Sequence, residues 1–160
     1  MQCWRLAAGR CRRLRLVLVG DGPQRSQVRA ALAPLAGRCH CPGFVPYGDL
    51  PHWYALADVF VHPAVNEPWG VSVNEAMACG LPVLAAAGVG SADELLADGR
   101  GGLRFASGDA ASLAAQLQLL AGSPGLCWSM AGEARRSVAG WSHERTISNL
   151  QRALAPCSRS

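Results

Sequence analysis

Apolar residues along the chain fall into short runs bounded by glycine and proline, and these runs alternate with stretches of helical composition. Residues 14–23, LRLVLVGDGP, are a β-rich run ending in a Gly-Asp-Gly-Pro turn. Residues 24–36 meet no helix breaker before Pro34, so a strand, a tight turn and a helix are predicted, the first part of a βαβ unit. Residues 41–45 predict a weak second strand, and residues 49–57 a short helix with Asp49 as its cap. Residues 59–63, VFVHP, predict a buried strand stopped by proline. A loop and a helix over about 70–79 follow, and Gly80-Leu81-Pro82 ends that helix. Residues 83–86 predict the next strand. Ser91 is expected to cap a helix over 92–97, with Asp93 and Glu94 in its first turn, where the dipole favours them. Residues 102–105 predict a last strand, and 109–121, about 126–139 and 142–155 predict three closing helices.

Alternating short strands and helices imply an α/β sandwich: a Rossmann-like, largely parallel sheet flanked by helices. The strands read as apolar runs, as expected when both faces of a sheet are covered. Ligands in such sheets bind at the carboxyl ends of the strands. The Gly-Asp-Gly turn, the HPAVNEPWG loop and the AAAGVGS loop all lie at such ends, so they should converge on one rim.

Composition narrows the class. The chain has 160 residues, half of them hydrophobic and 16% charged, which fits one folded domain rather than a disordered segment. Its longest apolar runs, such as 81–89, fall well short of a membrane span. Arginines interleave with apolar residues at the N-terminus, which is not the order of a signal peptide. The expected location is cytoplasmic, or peripheral to a membrane through a partner. The net charge is +4, and every basic side chain is arginine. The arginine clusters at 10–15 and 135–136 read as a solvated face, or as an attraction to phosphates on a substrate or on anionic lipid. No platform of aromatics is interleaved with them, so nucleic acid is not expected as a partner. The seven cysteines include no CxxC pair; Cys39-His40-Cys41 is the only close grouping and lacks further ligands nearby, so no metal site is expected.

Residues 66–83, NEPWGVSVNEAMACGLPV, hold two of the chain's 11 acidic residues, Glu67 and Glu75. A helix starting near Gly70 leaves its first N–H groups unpaired, and with the dipole they form an anion site. Gly70 removes the side chain where a phosphate would come closest. Glu75 lies just over a turn into the helix, and its carboxylate can accept from two vicinal hydroxyls, as on a ribose. Glu67, in the loop, could accept from hydroxyls of another sugar. An anion site bracketed by two hydroxyl-binding acids is the outline of a nucleotide diphosphate sugar. Local rules equally allow Glu67 as a loop charge and Glu75 as a helix-start charge.

The stretch resembles the E-x7-E signature of the family 4 glycosyltransferases, retaining enzymes of the GT-B fold. LVLVGDGP, PGFV, LPHWYALADVFVHPA, EPWGVSVNEAMACGLPVLA, DELLADGRGGLRF and GDAASLAAQLQLL stand in that family's order and spacing, and GWSHERTISNL resembles its C-terminal helix. The resemblance covers roughly residues 14–152 and is most specific over 62–105. It implies the C-terminal, donor-binding half of a GT-B fold over 14–155, with 1–13 a leader left from a helix and 156–160 a tail. It implies transfer of a sugar from a nucleotide diphosphate sugar to an unknown acceptor, with retention and without a metal or other cofactor, protein positive charge taking the metal's place. Glu67 would contact the donor sugar as the catalytic residue, and Glu75 would bind the ribose. The amides of Trp69, Gly70 and Val71 would face the sugar and diphosphate. Gly20, Gly22 and Val45 would border the base, and His62 and Asn66 would line the cleft, although His62 reads equally as a strand-end core histidine. Asp93 falls where the family has an acidic residue, and its place at a helix start explains it as well.

Two departures bear on activity. The acceptor-binding domain of the GT-B fold has no counterpart in 160 residues. The family's first strand, with the Arg and Lys that hold the leaving diphosphate, would lie upstream of LVLVGDGP; Arg10 and Arg13 do not match, and the chain has no lysine. Loss of that central strand predicts an unstable or self-associating chain, or direct pairing of strand 16–19 with strand 59–62. Two other functions stay open: a non-catalytic nucleotide-sugar binding module completed by a partner chain, and a different Rossmann-like protein such as a sugar-nucleotide epimerase.

Overall fold

A computed structural model describes residues 2–96 and 98–154. Helix α1 (Gln2–Arg10) leads into strand β1 (Leu16–Val19) and helix α2 (Arg25–Leu32). A 3-10 segment (Ala33–Arg38) and strand β2 (Cys39–Gly43) follow, then α3 (Leu50–Ala55) and β3 (Phe60–His62). The chain continues through α4 (Val71–Ala78), β4 (Val83–Ala86), α5 (Gly90–Leu95) and β5 (Gly102–Phe105). It closes with α6 (Ala110–Gly122), α7 (Pro124–Val138) and α8 (His143–Leu154).

The strands are parallel and helices pack on them, the Rossmann-like arrangement that alternating strands and helices imply. They form two sheets, one of β1 and β2 and one in the order β3-β4-β5. β4 is the fully covered strand: Val83, Leu84, Ala85 and Ala86 have no exposed surface. Its two flanking strands and the helices α4, α6 and α7 build the larger core, with Met77, Leu84, Leu96 and Leu120 among its buried side chains.

Of the outcomes expected from loss of the central strand, direct pairing of β1 with β3 does not occur. Among the described residues β1 pairs only with β2 and β3 only with β4, so each keeps one unpaired edge. Nor is β1 covered on both faces. Its burial alternates, with Val17 and Val19 facing outward and 41% and 37% exposed. Inward-facing Leu16 packs on a second, smaller core of Trp4, Ala8 and Leu32.

The two cores meet through the N-terminus. Ala7 of α1 packs into the larger core while Trp4 and Ala8, on the same helix, pack into the smaller one. Leu14 touches both. The end of α1 is held by the Arg38 guanidinium, which donates to the carbonyls of Ala8 (2.9 Å) and Cys11 (3.3 Å). These are terminal carbonyls without a partner inside the helix.

Several termini differ from the sequence reading. The helix expected over 24–36 stops at Leu32, because Pro34 follows and the chain tightens into a 3-10 segment. The weak second strand spans Cys39–Gly43, which leaves Val45 in the loop beyond it. Asp49 precedes α3 as expected but its side chain makes no capping bond. Ser91 is not a cap: α5 begins at Gly90 after Val89, and Ser91 is buried in its first turn with no hydrogen-bond partner for its hydroxyl. The Gly-Leu-Pro stop is as expected. Gly80 takes φ +76°, and Gly80 N–H and Leu81 N–H return to the carbonyls of Met77 (2.9 Å) and Ala76 (3.0 Å). This pair of bonds satisfies the last carbonyls of α4. Asp109 caps α6, accepting from the amides of Ala111 (3.0 Å) and Ser112 (2.9 Å).

Met77, at the centre of the larger core, is fully buried. Met77→Ala is expected to lower the unfolding free energy by about 2–5 kcal/mol in urea titration. A loss below about 1 kcal/mol would mean that the core is looser than described.

Candidate functional site

The loop between β3 and α4 has no strand of its own, yet its backbone is fixed. Glu67 N–H donates to the Gly88 carbonyl (2.9 Å) and Gly90 N–H donates to the Glu67 carbonyl (2.9 Å). Ser91 N–H donates to the Trp69 carbonyl (2.9 Å), and Glu67 and Val89 form a parallel bridge. The loop thus runs as an added strand beside the turn after β4. Glycine is required on the other side of this contact. A Cβ on Gly88 would overlap the Val65 carbonyl oxygen, and one on Gly90 would overlap that of Pro68.

Gly70 ends the loop in the left-handed region, φ +84°, and α4 starts at the next residue with no side chain capping it. A Cβ there would lie 2.9 Å from a Val89 methyl, 3.3 Å from Glu67 Cγ and 3.3 Å from His62 Nε2. Backbone conformation and packing therefore demand the glycine, beyond any need to admit an anion. The helix N-terminus remains a place of positive potential, with Val71 largely exposed beside it.

Glu67 packs beside Gly70 at this terminus and Glu75 follows within α4, and both accept from neutral donors. Glu67 Oε1 accepts from the Trp69 amide at 3.4 Å, a long contact. Glu75, over a turn further along α4, accepts on Oε2 from the Tyr54 hydroxyl at 2.8 Å. The Trp69 indole donates to Asn74 Oδ1 (2.9 Å) and lies against Trp141, ring centres 5.1 Å apart. His62 is at the end of β3, with Nδ1 3.4 Å from Ser72 Oγ and Nε2 buried without a partner. Asn66 is exposed. Asp93 is exposed in the first turn of α5 and ion-paired with Arg104 of β5.

Gly20 and Gly22 lie elsewhere. With Asp21, Arg25, Arg29 and Gly43 they help to line an open pocket of about 450 Å³ at the end of β1, to which neither Glu67 nor Glu75 contributes. Arg25 pairs with Asp21 at 2.8 Å, and its guanidinium lies 3.2 Å from where a Cβ on Gly43 would stand. Val45 is half-buried in the loop after β2. Among the described residues no cluster of three or more His, Cys, Asp or Glu side chains could hold a metal ion. His40, of the Cys-His-Cys grouping, stacks on Trp53 instead, ring centres 5.7 Å apart.

Tyr54, Trp141, Gly88 and Gly90 escaped the sequence reading as site residues. Tyr54 stands 21 positions before Glu75 on another helix, and nothing local signals their contact. The two glycines sit in a loop already placed at the rim, which was their only signal.

A family model described as glycosyl transferases group 1 matches residues 2–122. The D-inositol 3-phosphate glycosyltransferase of Actinosynnema mirum is 36% identical over 143 residues, 84% of this chain and 34% of that protein. The solved structure of sucrose-phosphate synthase from Thermosynechococcus elongatus matches with a TM-score of 0.83 at 28% identity, over 96% of this chain and 41% of that one. The Anabaena protein HepE, in complex with UDP, matches with a TM-score of 0.79 at 26% identity, over 96% of this chain and 43% of that one. The chain spans about a third of the length of the curated relatives it matches over most of its own.

Two variants probe the loop. Gly88→Ala must push the Glu67 loop off the β4 turn, and a loss of about 1–3 kcal/mol in unfolding free energy is expected; an unchanged value would mean that the loop is not fixed there. Burial lowers the His62 pKa from 6.5, and the nearby Glu67 carboxylate opposes that shift. The folded chain therefore favours neutral His62, and as pH falls the unfolded chain takes up its proton first. This contribution to stability is complete above about pH 6.5 and is lost as pH falls from there through the folded value. Urea titrations at about pH 7.5 and 5.5 should show a larger acid-side loss for the parent chain than for His62→Gln. Equal losses would overturn the assignment.

Proposed function

The chain belongs to the group 1 glycosyl transferases, and we propose that it is the part of such an enzyme that binds the nucleotide diphosphate sugar. The observation that carries this reading is the N-terminus of α4, entered through left-handed Gly70 and flanked by Glu67 and Glu75, neither of which is ion-paired among the described residues. The diphosphate would lie at the helix terminus, facing the amides of Gly70 and Val71. Glu75 would accept from the ribose hydroxyls. Glu67 would contact the transferred sugar, and the pocket by Gly20 and Gly22, with Val45 nearby, would take the base. The HepE structures in complex with UDP and with UDP-glucose support a uridine nucleotide as the first donor to test.

Residues 14–155 form the donor-binding domain in this reading. The transferred group is a hexose, and the new bond to the acceptor forms on the face the diphosphate leaves, with retention. The positive potential at the N-terminus of α4 serves in place of a metal. A second reading, a binding module that turns over only with a partner chain, is favoured by the edges of β1 and β3 that are unpaired among the described residues.

Calorimetric titration of the chain with UDP-, GDP- and ADP-sugars, with and without a chelator, tests the proposal. Saturable binding to one of them is expected, insensitive to the chelator. Glu75→Ala should weaken it about 10- to 100-fold, the effect of losing hydrogen bonds to a charged group. A folded chain that binds none of the three would overturn the reading. Binding that Glu75→Ala leaves intact would place the ribose elsewhere.

A further inference from the structure

One side of α4 is gripped at two points by groups from the segment before it. Ser72 and Glu75 are three residues apart on that helix, hence on one face. Glu75 Oε2 accepts from the Tyr54 hydroxyl of α3 at 2.8 Å, and Ser72 Oγ lies 3.4 Å from His62 Nδ1 at the end of β3. A ladder of rings joins the two points. Tyr54 meets Phe60 edge-on, with centres 5.7 Å apart and planes at 66°. Phe60 stacks on His62, with centres 6.1 Å apart and planes at 20°. The ladder fixes where the phenol hydroxyl stands before any ligand arrives.

Glu75 has no arginine partner among the described residues, so the phenol is what orients its carboxylate. A carboxylate offers about four acceptor positions. One is taken on Oε2, and Oε1 keeps both of its own, so the group can still receive two hydroxyls. Burial, and then the hydrogen bond to Glu75, push the Tyr54 hydroxyl well above its ordinary acidity range, so it stays a donor at any working pH.

We infer that Tyr54 is a positioning residue: by donating to Glu75 Oε2 it presents Oε1 in the direction that distinguishes a ligand with two vicinal hydroxyls from one with a single hydroxyl. This rests on the proposed role of Glu75 at a ribose. Phe60 and His62 serve it indirectly, by holding the phenol ring.

The test is titration of the full chain with UDP, GDP and ADP and with their 2′-deoxy counterparts. The parent chain should prefer the ribonucleotide of one pair. Tyr54→Phe keeps the ring and its contact with Phe60 and removes only the donor. It should weaken the ribonucleotide about three- to tenfold, the effect of one hydrogen bond, while the deoxy form is unchanged. In a Glu75→Gln background Tyr54→Phe should add nothing to that loss of preference. A merely structural tyrosine would instead weaken both nucleotides alike, and that result overturns the inference, as does a preference that survives Tyr54→Phe. Thermal unfolding of the two single variants and the double variant should be non-additive, and additivity counts against the contact without reference to any ligand. If the parent chain binds none of the six, the donor-site reading fails and this inference with it. If it binds ribo and deoxy forms equally, the role of Glu75 at the ribose fails.

Discussion

The candidate site depends on the stitching of a loop to a turn. Residues 66–70 have too little apolar content to hold themselves, and they are held because Glu67 and Trp69 exchange backbone hydrogen bonds with Gly88, Gly90 and Ser91. That exchange works only at backbone-to-backbone distance, which the two glycines permit. It sets the height of Glu67 above the sheet, the left-handed turn at Gly70 and so the direction in which α4 starts. Trp141 then closes the outside of the loop by packing on Trp69. A segment from just before the last helix thereby supports a loop about 70 positions earlier.

Charge follows a division of labour. Asp21, Asp93, Asp98 and Glu133 each meet an arginine in exposed pairs, which contribute little to stability. Glu67 and Glu75 meet an amide and a phenol instead. Neutral donors orient a carboxylate without cancelling its charge, so both acids keep their capacity to accept from hydroxyls. A guanidinium in either place would have filled the same positions with two strong donors.

Much of this was legible along the chain. β4 and β5 fall at the expected residues, because each is a short segment set off by glycine or proline, β4 wholly apolar and β5 with Leu103 and Phe105 about Arg104. The glutamate-flanked helix start was legible because Glu67, Gly70 and Glu75 are close in sequence. The misses share a cause, which is partners distant in sequence. The Ser91 side chain looked like a cap, and burial beneath the loop decided otherwise. Tyr54 lies within the LPHWYALADVFVHPA motif, but its role was hidden because its partner, Glu75, is on another helix. Pairing of β1 with β3 was one expected way to close the gap, but α1 settles against α6 and its Trp4 and Ala8 fill the smaller core, leaving the two sheets apart.

That separation has a consequence for cooperativity. A chain with two cores joined by a few side chains of one short helix and by Leu14 after it need not open all at once. The β1–β2 sheet, with an exposed face and a small core, is the natural subunit for opening, and the β3–β5 sheet is the one that persists. The pocket beside Gly20 belongs to the first and the two glutamates to the second. A molecule long enough to reach both would hold together two folding units, and part of its binding free energy would be used to suppress their independent motion.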